Sequence, residues 1–473
     1  MQDALAVLDI GKTNLKLSLL DAAGNTLAER RRPNQPLHGG PYRYARHDVD
    51  GIWAWLLATL RDFSTLAGIT VIVPITHGAT AALVDEHGLV LPVLDYEFAL
   101  DPQLDADYEA LRPPFAETYS PSLPTGLNLG RQLYWLARTY PAEFARARHI
   151  LAYPQYWAWR LCGVAATEVT SMGCHTDLWQ PLAGRPSSLV DRLQWNALLP
   201  PQYPAWAALG TVHPALAAAT GVRPECQILC GIHDSNASLL QYVCNPVNRP
   251  LCNPDLGRNT PRTVLSTGTW VIAAALDGDL GLLQESADML ANVDVLGQAV
   301  ACMRFMGGRE FAELAGAAAV AEICTIADLQ LLIDQGSLAL PCFASAGGPF
   351  YGRSGSIVGK TPQTPRQRYA LATLYCVLMT DYCLDVLHAE GALVIEGSFT
   401  GNPHFAALLA GLRPQQTVFV SDDSSGTTYG GWLLRHWGRQ REVVRQPVAP
   451  LAISGWDRYR NRWRQLCTQT ASA

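Results

Sequence analysis

Leu5-Ala6-Val7-Leu8-Asp9-Ile10-Gly11-Lys12-Thr13-Asn14 leads directly into a second apolar run, Leu15 to Leu20. An apolar run, a tight Gly/Thr turn and another apolar run predict a β-hairpin with its tip at Gly11. The N–H groups and hydroxyls exposed at such a tip suit an anion, phosphate oxygens above all. The pattern returns far along the chain, where Thr263-Val264-Leu265 enters Ser266-Thr267-Gly268-Thr269 and Trp270 to Leu276 leaves it. Two such tips predict two similar lobes, each offering half of a polyphosphate clamp. Gly231-Ile232-His233-Asp234-Ser235, between them in sequence, supplies a carboxylate.

The carboxylates set the chemistry to look for. Asp9 closes an apolar strand, where a carboxylate is costly unless paired or facing a cation. Beside a phosphate turn it reads as an outer ligand of Mg²⁺, or as a cap satisfied by turn amides. Asp234 follows the strand Gln227-Ile228-Leu229-Cys230 and precedes small residues. It reads either as a helix N-cap or as a general base taking a proton from a hydroxyl that attacks a γ-phosphate. Gly397, Ser398, Thr400, Gly401 and Asn402 form a strand-to-helix turn on which a flat ring or ribose could rest; a plain tight turn is the other reading. His77 follows the buried run Val71 to Ile75 and is a structural or a binding imidazole. Gly355 to Thr361 imitates a P-loop but is one residue short and lacks a strand leading into it, so a loop is expected there.

Length and composition bound the rest. A chain of 473 residues exceeds one core, so two or three domains are expected. The first lobe is expected over 1–238 and the second over 239–473, with a proline-marked loop over 241–262. Strands alternate with helices in both, which makes an α/β protein with an active-site cleft between lobes. Residues 51–67 carry helical periodicity, with Trp53, Leu56, Leu57 and Leu60 on one face. A formal net charge of −6 argues against nucleic acid or anionic membrane as partner. Charged residues are only 16%, which leaves surface for an oligomer such as a homodimer. The twelve cysteines form no CxxC pair and read as reduced core residues. With neither a signal-peptide pattern nor an apolar run of membrane length, the expected compartment is the cytoplasm.

Taken in order, Asp9 to Asn14, Gly231 to Asp234, Leu265 to Trp270 and Glu396 to Asn402 resemble the FGGY carbohydrate kinase family, of the sugar kinase, Hsp70 and actin superfamily. The resemblance covers nearly the whole chain. It implies two ribonuclease-H-like lobes, ATP and Mg²⁺ as cofactors, and phosphorylation of a sugar hydroxyl. On that pattern Asp234 is the catalytic base, and Asp9 and Asp234 hold Mg²⁺. Gly11, Thr13, Asn14, Thr267, Gly268 and Thr269 approach the phosphates, and Gly397, Ser398 and Asn402 border the adenosine. His77, Asp95 and Tyr96, with Asp234, meet the sugar. The chain departs from the pattern at Ser398-Phe399, where a longer glycine run is usual, at Gly426-Thr427-Thr428, and at Lys12 and Asn14. Together with Gly347-Gly348-Pro349-Phe350 these lean toward the rhamnulose and fuculose kinase side, so the expected substrate is a deoxy-ketose such as L-fuculose or L-rhamnulose. A xylulose- or ribulose-type pentulose kinase, or a non-catalytic sugar or nucleotide sensor, is the alternative.

Overall fold

Strand β1, Asp3–Ile10, is buried on both faces from Ala4 to Leu8, the mark of a central strand. On one side it pairs antiparallel with β2, Asn14–Leu20, from Leu5 opposite Leu20 to Ile10 opposite Leu15. β2 continues antiparallel into β3, Thr26–Pro33. On its other side β1 runs parallel to β4, Gly68–Thr76, with Asp9 opposite Ile75 and Ile10 opposite Thr76. Gln227–Leu229 and then Ala208–Thr211 extend the sheet beyond β4, and Ile232–His233 also pairs with β4. The computed structural model that gives these elements describes residues 1–243, 261–276, 278–316, 322–344, 347–421, 426–438 and 446–469. Most of the loop expected over 241–262 lies outside the described residues.

Helix α1, Val49–Ser64, is capped by Asp48, whose carboxylate accepts the Gly51 N–H at 3.0 Å. Ile52, Leu56, Leu60 and Phe63 join Leu8, Ile10 and Leu17 in one apolar core, closed by Tyr153, Tyr156 and Trp157 of the helix Tyr153–Cys162. The stripe is rotated from the expected one. Trp53 and Leu57 are only half-buried, and the Arg160 guanidinium covers the Trp53 ring at 4.4 Å. Large amphipathic rings tolerate such a flank because a long cation stem shields them.

A second sheet repeats the strand order of the first over six strands. Pro261–Thr267 and Val271–Ala275 form the hairpin, and Ala299–Phe305 pairs antiparallel beyond it, as β3 does beyond β2. Ala392–Gly397 runs parallel to Pro261–Thr267, with Thr267 opposite Gly397. Val418–Val420 continues in parallel, and Gln446–Pro447 closes the edge antiparallel. The helix Pro365–Val386 is long and apolar enough to cross a bilayer, yet 83% of that stretch is buried inside the protein. The P-loop imitation resolves into an edge element: Ser356–Val358 is a strand paired with Leu338–Leu340.

Contacts divide the chain into two units. One comprises Met1–Asn248, Ala291–Ala299 and Ser425–Arg441; the other comprises Arg249–Leu290, Val300–Ser424 and Glu442–Ala473. The single cut expected after residue 238 is thus replaced by a discontinuous division. Glycines account for the late segment that joins the first unit, the helix Gly426–Arg435. A Cβ on Gly430 would lie 2.3 Å from the Ala237 carbonyl oxygen, and one on Gly431 2.7 Å from the Val7 side chain. Only bare backbone lets this helix settle on Asp234–Leu239 and β1. Trp432 donates its indole N–H to the Ala22 carbonyl at 3.2 Å, and Trp437 stacks on Trp206 at 4.1 Å.

Candidate active site

Parallel pairing aligns three strand ends in the first unit. Asp9 stands opposite Ile75, and His233 stands opposite Thr76, so Asp9, His77 and Asp234 emerge together at the carboxyl ends of their strands. Open α/β sheets place ligands at such ends. Asp234 is the first residue of the helix Asp234–Leu239. Its Oδ1 accepts from the Ser235 N–H at 2.6 Å and the Ser235 hydroxyl at 3.3 Å, and lies 3.3 Å from His233 Nε2. The Asn236 amide donates to His233 Nδ1 at 3.4 Å, which leaves the ring proton on Nε2, facing Asp234. Burial keeps His233 neutral, its pKa lowered to about 4. These donors gather on Oδ1, leaving Oδ2 to take a proton. Burial first, and then the charge of Asp9, push the Asp234 carboxyl up to about 6. Its side chain keeps 29% of its surface open, so it remains accessible to a reactant.

The turn beside it is closed by the Gly11 N–H donating to the Asn14 carbonyl at 2.9 Å. A Cβ at Gly11 would press to 3.0 Å from that oxygen. Thr13 and Asn14 are exposed at the tip, and the Asn14 amide donates to the Thr13 hydroxyl at 3.2 Å. Asn34 braces the turn from behind, donating its side-chain amide to the Gly11 carbonyl at 2.8 Å. His77 donates Nδ1–H to the Gly78 carbonyl at 2.8 Å, since a carbonyl only accepts. Its Nε2 is therefore a bare acceptor, and among the described residues it is buried without a hydrogen-bond partner. Burial holds His77 below the ordinary imidazole range despite Gly78 and Asp234, which favour its protonation. Tyr96 packs edge-on to His77 with ring centroids 5.7 Å apart. Asp95 is nearly inaccessible, and its carboxylate is ion-paired with Lys12. Burial opposes ionisation there, but Lys12 and the Glu97 N–H hold the carboxyl below the usual range.

Asp9 Oδ2 accepts from the Thr427 hydroxyl at 2.6 Å and faces Lys16 Nζ at 3.4 Å. Among the described residues no group of three or more His, Cys, Asp or Glu forms a metal cage. Mg²⁺ does not need one, being bound through one or two carboxylates plus substrate phosphates and water. A second carboxylate near enough to raise the Asp234 pKa fits that hard-oxygen requirement. Thr427, Lys16 and His47 are site neighbours that the sequence reading did not single out as such. His47 sits 5.2 Å from His77 and 5.3 Å from Tyr153, ring to ring, and burial first and then His77 lower its pKa to about 3. No periodicity marks it; only its place just before the Asp48 cap was a clue.

In the second unit the Gly268 N–H donates to the Trp270 carbonyl at 2.8 Å, which forms the matching turn, and Thr269 is exposed on it. The Thr267 hydroxyl donates to the Glu396 carbonyl and accepts the Phe399 N–H at 3.0 Å. That side chain is therefore spent on joining two strands. Asn402 likewise turns inward: its amide donates to the Thr373 hydroxyl at 2.9 Å, and its carbonyl accepts the His404 N–H at 3.1 Å. Gly397 and Ser398 are exposed at the end of their strand. Gly397 adopts φ +86°, and a Cβ there would lie 1.9 Å from the Thr267 carbonyl oxygen.

Comparison with known proteins bears on the fold and the family. Residues 259–443 match the model of the carbohydrate kinase FGGY C-terminal domain. The crystal structure of a carbohydrate kinase from Novosphingobium aromaticivorans is 37% identical, covers 98% of each chain and superposes with a TM-score of 0.87. Xylulose kinase from Rhodospirillum rubrum, 18% identical over 99% of each chain with a TM-score of 0.79, shares the fold. L-fuculokinase of Salmonella typhi is 25% identical over 313 residues, 62% of this chain, and the match spans 61% of that relative's length. With the two-unit α/β architecture and the repeated hairpin turns, these likenesses establish that the chain belongs to the FGGY family of carbohydrate kinases, phosphotransferases whose acceptor is an alcohol group.

Proposed function

We propose that the protein transfers the γ-phosphoryl group of ATP to a hydroxyl of a neutral ketose, with Asp234 as general base. The observation that carries this reading is the state of Asp234. Its Oδ1 is saturated with donors, its Oδ2 is left to act, and its pKa is raised to about 6 at the mouth of three strand ends. A base of that strength is ionised at neutral pH yet retains affinity for the proton of a hydroxyl as it attacks. His77 Nε2, a buried bare acceptor, would receive another hydroxyl of the same sugar.

Among the described residues of the first unit, the two lysines near Asp9 and Asp95 are each paired with carboxylates. Lys12 is held by Asp95 and Glu97, and Lys16 by Asp9. An acidic acceptor would meet these carboxylates, which favours a neutral polyol or ketose. Asp9 and Asp234 would hold Mg²⁺, which neutralises phosphate charge when bound. Within the first unit the Gly11 to Asn14 turn is proposed for phosphate oxygens; within the second unit, taken by itself, Gly268, Thr269, Gly397 and Ser398 are proposed for nucleotide contacts. Thr267 and Asn402 would serve these only by shaping the turns of the second unit, since their side chains are already bonded.

The likeness to an L-fuculokinase supports a deoxy-ketose such as L-fuculose as acceptor. None of the ten cysteines among the described residues is joined in a disulfide, and nine of them are buried, which suits a reducing compartment such as the cytoplasm. Mg²⁺-dependent ATP turnover against a panel of deoxy-ketoses, pentuloses and pentitols tests the reading. A single strongly stimulating sugar is expected; phosphate release that ignores added sugar contradicts it.

A further inference from the structure

We propose that Lys12 is a positioning residue that ties the first phosphate turn to the segment Asp95–Glu97 and holds that segment ready for the acceptor; this rests on the kinase reading above. Closure of the turn between Gly11 and Asn14 fixes the backbone at the tip, and from it the Lys12 ammonium reaches the Asp95 carboxylate. Three consecutive residues then grip one ammonium. Asp95 forms the ion pair, Glu97 lies at 3.3 Å, and the Tyr96 ring centroid is 4.9 Å away. The link spans 83 positions of sequence.

The Asp95 side chain is 2% exposed, and its other hydrogen bond comes from the Glu97 N–H at 3.0 Å, within its own segment. A carboxylate this deep needs its cation, since removing one partner strands a buried charge. The segment is a turn outside any helix or strand. Its backbone is tied to the rest of the fold through the Asp95 N–H to the Ala45 carbonyl at 2.9 Å and the Gly126 N–H to the Tyr96 carbonyl at 2.8 Å, and the Phe98 N–H closes the turn on the Asp95 carbonyl at 2.9 Å. Lys12 thus supplies the charged anchor for a loop whose Tyr96 ring packs on His77. Through that contact the phosphate turn sets the position of the imidazole proposed to meet the sugar.

Steady-state kinetics and hydrogen exchange on Lys12→Met and Lys12→Arg test the tether. In Lys12→Met the KM for the stimulating sugar should rise about tenfold or more while the KM for ATP stays within about twofold. Lys12→Arg, which keeps the charge and the reach, should recover most of the loss. Amide exchange across 94–98 should quicken about tenfold in Lys12→Met, with β4 unchanged. Unchanged exchange there overturns the tether. So does a rise in ATP KM without one in sugar KM, which would make Lys12 a phosphate ligand instead. If no sugar stimulates the wild-type protein, the kinase reading fails, and the exchange comparison still decides whether Lys12 orders the segment.

Discussion

Asp234 is the proposed general base, and two of its properties can be measured. Asparagine keeps the shape and loses the base, so Asp234→Asn should lower kcat by about 10²- to 10⁴-fold, with ATP affinity by calorimetry within about threefold of wild type. The raised pKa also fixes the acid limb of the rate profile. The base works only when ionised, so kcat/KM should fall tenfold per pH unit below about 6. Part of that elevation comes from the negative charge of Asp9. Removing the charge in Asp9→Asn should therefore move the limb to lower pH, whatever it does to the plateau. An unmoved limb would show that burial alone sets the value. Asp9, His77 and Asp234 were legible as candidates because each stands at the end of an apolar run, where a polar residue stands out, and Gly11 because a glycine breaks such a run. Side-chain direction was not legible. Thr267 and Asn402 have suitable chemistry for a nucleotide, but the register of Thr267 opposite Gly397 and the packing of Asn402 on Thr373 turn both inward.

At the scale of elements, glycine carries the close approaches. Gly397 combines φ +86° with a neighbouring strand where its Cβ would sit, so Gly397→Ala must shift backbone rather than a flexible side chain. Melting by circular dichroism should show a loss of about 1–3 kcal/mol or more, and a variant as stable as wild type would contradict the packing described. Gly430→Leu should be at least as costly, because the helix Gly426–Arg435 could no longer rest on the Ala237 carbonyl. Its displacement would also withdraw the Thr427 hydroxyl from Asp9, so activity should fall along with stability. The hairpins were legible because an apolar run broken by a Gly/Thr turn has few alternatives. The face of α1 was read one step off because Trp53 counts as apolar in a periodicity yet lies under Arg160 at the flank. The seat of the 426–435 helix was hidden for a different reason. Gly430 and Gly431 announce that something comes close, and only the tertiary fold says it is Ala237 and Val7.

At the scale of the whole molecule, a duplicated strand order and two separate sets of contacts imply two cooperative cores. Unfolding should then depart from two-state behaviour, with a calorimetric enthalpy exceeding the van't Hoff value; equal values would mean the units melt as one. The duplication was legible because both hairpin turns repeat a recognisable pattern. The crossing of the chain between units was not, because sequence order says nothing about which core a late helix will complete. Mg²⁺-dependent ATP turnover, measured with each neutral ketose and without sugar, on wild type and Asp234→Asn together, tests the central claim most directly. Expected is strong stimulation by one sugar in the wild type and its near-complete loss in the variant, with ATP still bound. Sugar-independent turnover, or an Asp234→Asn variant as fast as wild type, would contradict it.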